Sequence, residues 1–151
     1  MTSLNYNEIY SRFYTKVLAY EFLELEEEKV NEFLCNWLHS AVAQPYVRRL
    51  FTSVTMDDEI YELQCTLKNE IDEFTDKEFI VEVLALGLII GWLTPKINNI
   101  TLIAQTFGSK DEKFYSEANH LKQLQELKDS LVSEQRRLVV DRGYVWNAYL
   151  N

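Results

Sequence analysis

Glycine and proline are scarce in this chain, at 4 and 2 of 151 residues. A sandwich of short strands spends such residues at nearly every corner, so an all-β architecture is excluded and a mainly helical one is predicted. Cysteine is nearly absent as well. Cys35 and Cys65 make no disulfide framework and fit a reducing compartment, where thiols pack as small apolar groups. Positive charge is in deficit: 15 Lys and Arg face 24 Asp and Glu, for a net charge of -9. That field repels phosphate backbones and anionic lipid surfaces, which argues against specific nucleic-acid binding and against a membrane role. The longest uncharged apolar run, Val83 to Leu93, is about half of the roughly 20 residues that cross a bilayer. The opening Met1-Thr2-Ser3-Leu4-Asn5 has neither a basic region nor an apolar one, so no secretion signal is read there and a cytosolic protein is expected. Glycine-rich phosphate loops, paired-cysteine motifs and serine-nucleophile signatures are missing too.

What is present is apolar, aromatic and periodic. Apolar residues make up 47% and aromatic ones 13%, enough for one cored domain at a length inside the usual range of roughly 100–200 residues. From Tyr6 to Ala19, Tyr6, Ile9, Tyr10, Phe13 and Val17 recur at spacings of three and four, as one face of a helix requires. Glu26 to Val42 repeats that pattern through Val30, Phe33, Leu34, Trp37, Leu38 and Ala41, with acids in the first turn where the macrodipole favours them. Pro45 then forces the chain out of the helix. Between Leu50 and Lys68 the periods conflict. Leu63, Cys65 and Leu67 alternate as in a strand, Ile60 to Leu63 also fits a helix, and Asp57-Asp58 suits the turn of a small β-hairpin.

Thr75-Asp76-Lys77-Glu78 reads as a capping box that opens a helix. Its apolar residues, Phe79 to Trp92, fall on nearly all sides, which predicts a central buried helix; Gly87 and Gly91 would let a neighbour approach closely. Thr94-Pro95 is expected to stop it and to open another helix from Lys96 to Thr106, ended by Gly108. A last helix is predicted from Ser116 to Asp141, roughly 39 Å long, with Leu124, Leu131 and Leu138 every seven residues, Leu121 and Leu127 filling the stripe, and Gly143 as its C-terminal cap. The expectation is a bundle of about five helices over residues 1–143, followed by a C-terminal docking tail over 144–151.

Candidate chemistry is thin. Glu117 and His120 have the Glu-x-x-His spacing of di-iron carboxylate bundles, which need two such motifs, and only one is present. A surface helix pair is the plainer reading, and no metal or other cofactor is expected. Cys35 and His39 would make half of a zinc site, but two further ligands at suitable spacing are missing, so a core thiol beside an interfacial His is expected. Asp57-Asp58-Glu59 lacks the glycine and the twelfth-position Glu of a calcium loop. Two features remain. Arg48 and Arg49 place adjacent guanidiniums in an acidic region, to pair either with the chain's own acids or with a partner's carboxylates. The tail carries Tyr144, Trp146, Tyr149 and Leu150, which are costly to leave in water and either fold back on the core or dock on another subunit.

Four stretches carry a resemblance: Asn7 to Phe13, Ala43-Gln44-Pro45-Tyr46-Val47-Arg48-Arg49-Leu50-Phe51, the run from Asp76-Lys77-Glu78-Phe79 to Pro95, and Lys113 to Asn119. Together they resemble small helical proteins encoded among the virion structural genes of tailed bacteriophages, the head-to-tail connector adaptors of the neck. The likeness implies a non-enzymatic structural protein in a homo-oligomeric ring, twelve-fold in that family, which bridges the portal protein to tail-side connector proteins. It implies docking by terminal segments, a place in the virion after assembly in the host cytoplasm, and DNA passing through the ring without being specifically bound. An acidic surface would then be a repulsive wall beside that channel. The alternatives are a helical-bundle metal protein or enzyme using Glu117 and His120, and a cytosolic regulatory protein-binding domain.

Overall fold

A strand precedes the first helix. In the computed structural model, which describes residues 1–107 and 112–143 (without the side chains of 20, 21, 100–107 and 112–118), β1 spans Thr2–Asn5. Asn5 then caps α1, Tyr6–Lys16. Its side chain accepts from the Asn7 amide (2.9 Å), and the Glu8 carboxylate accepts from the Asn5 amide (3.1 Å). This is a reciprocal capping box that satisfies two otherwise orphaned donors. A 3-10 turn, Tyr20–Glu24, leads to α2, Glu27–Ala43, and Pro45 ends it by opening the four-residue α3, Pro45–Arg48.

The ambiguous stretch is a β-hairpin. β2, Phe51–Asp57, and β3, Glu62–Leu67, pair antiparallel, and β1 adds to the other edge of β3 in the order β1-β3-β2. On β3 the buried residues are Leu63, Cys65 and Leu67. On β2 Phe51 is buried and Val54 and Met56 are half-buried against the core, an odd step that two-residue alternation forbids. A register shift between Phe51 and Ser53 supplies the extra residue and returns Val54 to the core face.

α4 departs from expectation at both ends. It spans Glu73–Phe107 and starts before Thr75, because Asp72 takes the capping role: its carboxylate accepts from the Thr75 amide (2.7 Å) and the Thr75 hydroxyl (2.9 Å). Pro95 does not stop the helix but lies inside it, so the helices expected on either side are one. A proline there costs about 3 kcal/mol in lost hydrogen bonding and clash. Leu93 and Ile97, one turn apart across it, are both buried, and each buried aliphatic side chain contributes about 1.5–3 kcal/mol, which offsets that cost.

The central stretch is buried as expected: Val83, Leu84, Ala85, Leu86, Leu88 and Ile89 are all in the core. A Cβ at Gly87 would sit 2.5 Å from the Ala41 Cβ, and one at Gly91 2.9 Å from the Trp37 ring, so these glycines are where α2 and α4 meet. Within α4, Glu73–Asn99 is long and apolar enough to cross a membrane by length and composition, but α1, α2, the sheet and α5 cover much of its apolar surface.

α5, Glu112–Asp141, starts four residues before the expected Ser116 and packs along α4. Leu121, Leu124, Leu131 and Leu138 face the core, whereas Leu127 is exposed and does not belong to the seam. Gly143 closes the helix at φ +95°, its amide donating to the Val140 carbonyl (2.8 Å). The result is a mainly α protein with five α-helices and one small antiparallel sheet among the described residues. Arg142, at the end of α5, forms a buried ion pair with Asp76, at the start of α4. Asp76 also accepts from the Ile71 amide (3.0 Å), and the guanidinium lies over the Phe79 ring (4.8 Å). One electrostatic clasp thus fastens the two ends of the helical pair.

Candidate functional site

Three features on the surface have the chemistry to do something. The first is built on α2. Cys35 and His39, four residues apart, lie on one helical face, and the turn between β2 and β3 brings Asp58 against them. The ligand atoms of all three lie within 4.8 Å of one another. His39 Nε2 is 2.8 and 3.0 Å from the two Asp58 oxygens, and the buried Tyr6 hydroxyl donates to Asp58 Oδ1 (2.7 Å). Tyr6 and His39, by donating to it, hold the Asp58 carboxyl below its ordinary range. Burial, then the neighbouring carboxylate, pushes the Cys35 thiol up, and the same two causes push the Tyr6 hydroxyl up. The third member could not be read locally, since Asp58 follows Cys35 by 23 positions and only the hairpin folds it back.

The second feature is a groove of about 990 Å³ between the C-terminal half of α2, α3, α4 and α5. Trp37, Tyr46 and Pro95 supply apolar walls, and Arg49, Lys128 and Arg136 line it as cations. Gln135 is buried at its base, donating to the Val83 carbonyl (2.8 Å) and accepting from the Tyr46 hydroxyl, while Arg136 stacks over the Tyr46 ring (5.1 Å). The adjacent arginines therefore separate. Arg48 donates to the Phe51 carbonyl (3.0 Å) and fastens α3 to β2, whereas Arg49 faces the groove.

The third is an apolar groove of about 720 Å³ between α1, the 3-10 turn and α2, lined by Tyr10, Tyr14, Leu18, Phe22, Leu25 and Leu34. Leu18 and Leu23 on its margin are 73% and 82% exposed. Phe13, Tyr14, Phe22, Trp37 and Phe33 form a chain of ring contacts beside it. Exposed large apolar side chains grouped this way mark interaction surfaces.

Of the other residues singled out in the sequence, His120 is exposed on α5. The Glu117 side chain, and the whole tail with Tyr144, Trp146, Tyr149 and Leu150, lie outside the described residues. Comparison with family models, characterised proteins and solved structures finds no match to this chain.

Proposed function

We propose that this chain is a non-enzymatic docking protein that assembles as a ring, a head-to-tail connector adaptor of a tailed bacteriophage set between the portal and tail-side proteins. The observation that carries the ring is the charge polarity of α2. Exposed Glu24, Glu26, Glu27, Glu28 and Glu32 gather at its N-terminal end, and the cation-lined groove of Arg49, Lys128 and Arg136 opens at the other. The 17 residues of α2 put about 25 Å between its two ends. Unlike surfaces at opposite ends of a subunit suit a heterologous contact, in which each copy offers its acidic end to the groove of the next. If the rotation closes, a ring results.

The resemblance of four sequence stretches to connector adaptors supports the place of that ring, and the exposed apolar groove and the aromatic tail at 144–151 offer it further adhesive surface. The test is particle mass by sedimentation, alone and with portal rings. A closed species of about a dozen copies, or one formed on the portal, is expected. Glu26→Lys with Glu27→Lys, and separately Lys128→Glu with Arg136→Glu, should each weaken assembly, with the loss shrinking as salt rises. Deletion of 144–151 should reduce portal attachment at unchanged helix content. A monomer at every concentration that portal rings do not retain would overturn the reading.

A further inference from the structure

We propose that Cys35, His39 and Asp58 bind one divalent transition-metal ion, zinc by the chemistry of the ligands, at the junction of α2 with the β2–β3 turn. One thiolate, one imidazole and one carboxylate match the soft-to-borderline set that zinc takes, and three protein ligands leave the fourth tetrahedral position to water. Zinc bonds of about 2.0–2.3 Å put neighbouring ligand atoms roughly 3.3–3.8 Å apart in a tetrahedron. The three atoms here are already within 4.8 Å, so side-chain rotations close the difference without moving a helix or strand.

Access and support are both present. His39 and Asp58 are exposed, so an ion has a path in, and Cys35 lies half-buried beneath them. Tyr6, fully buried, donates to Oδ1 of Asp58 and so orients the carboxylate, leaving Oδ2, in contact with His39 Nε2 (3.0 Å), to turn to a metal, the outer-shell support that ligating carboxylates commonly receive. On binding, the Cys35 S–H bond breaks and its proton leaves to solvent as the metal–sulfur bond forms. His39 gives up its Nε2 proton to solvent and carries its ring proton on Nδ1, so that the His39–Asp58 hydrogen bond is exchanged for a metal–nitrogen and a metal–oxygen bond. No electron is transferred. The ion would tie the hairpin turn to α2, linking metal binding to the stability of the sheet.

The tag-free full chain is titrated with cobalt(II) and then with zinc. One cobalt per chain is expected, with a thiolate-to-metal charge-transfer band and tetrahedral d–d bands, displaced by an equivalent of zinc. Cys35→Ser should abolish the charge-transfer band and His39→Ala should lower zinc affinity on the order of a hundredfold, whereas Cys65→Ser, at a thiol outside the cluster, should change neither. Tyr6→Phe should weaken binding by about tenfold while keeping the spectrum, the signature of outer-shell support. Cys35 and His39 are not fully buried, so those variants are expected to fold, and circular dichroism checks that they do. No cobalt spectrum in the parent, or binding unchanged by Cys35→Ser, would mean that the cluster is a hydrogen-bonded fastening of the hairpin alone. Neither result bears on the ring.

Discussion

Asp76→Ala is the most telling single perturbation of this fold. Asp76 and Arg142 have side chains only 7% and 6% exposed, and they join the start of α4 to the end of α5 across 66 positions of chain. Removing the carboxylate leaves the guanidinium buried, with the Phe79 face, a long contact to the Thr75 carbonyl (3.5 Å) and the more distant Asp72 carboxylate in its place. The Arg142 Nε is already without a hydrogen-bond partner among the described residues, so little local compensation exists. The Ile71 amide loses its acceptor as well. An uncompensated buried charge of this kind costs about 3–5 kcal/mol, which for a domain of this size lowers the melting temperature by about 10 °C or more. Because the pair is shielded from solvent, the loss should hardly change between low and moderate salt. Asp76→Leu combined with Arg142→Met should recover most of it, since an apolar pair of similar volume does without the desolvation of two charges. The assay is urea unfolding followed by far-ultraviolet circular dichroism for the two single variants and the double. A stability within about 1 kcal/mol of the parent for Asp76→Ala would refute the claim that the clasp is buried and uncompensated.

Gly87→Ala should destabilise by about 1–3 kcal/mol by overpacking the α2–α4 contact, and Ala41→Gly in the same chain should relieve part of it; denaturant midpoints of the single and double variants check this. Leu86→Asp should cost several kcal/mol by placing an unpaired charge in the central helix, and a soluble variant with an unchanged melting temperature would contradict that placement. Acid should loosen the α1–α4 contact. Burial raises the Glu82 carboxyl, but hydrogen bonds from Lys16 and Arg12 outweigh it and hold the group below its ordinary range. A depressed folded-state value means that its contribution is present above the ordinary carboxylate range and lost as pH falls through the folded value. Stability measured from neutral pH to about pH 3 should fall less steeply in Glu82→Gln than in the parent.

The helices could be read along the chain because each depends on residues within a few positions of one another. Tyr6, Ile9, Tyr10 and Phe13 define one stripe, although the helix ends at Lys16, before Val17, and Val30, Leu34, Leu38 and Ala41 define another; burial against a core is what such stripes require. The capping box at Asn5 and Glu8 is equally local, a reciprocal pair three residues apart. Composition pointed the same way, since 4 glycines and 2 prolines leave little material for the turns of a β architecture, and Gly143, just past the predicted end of the last helix, is where a left-handed residue closes α5. Tertiary structure decided the rest. Local rules stop a helix at Pro95, but the burial of Leu93 and Ile97 on either side outweighs one lost hydrogen bond, so α4 continues. β1 is too short to be stable alone and exists because β3 offers it an edge. The partners of Asp76 and of Cys35 lie 66 and 23 positions away, and no spacing rule reaches so far, because only the closing of α5 on α4 and of the hairpin on α2 brings the groups together.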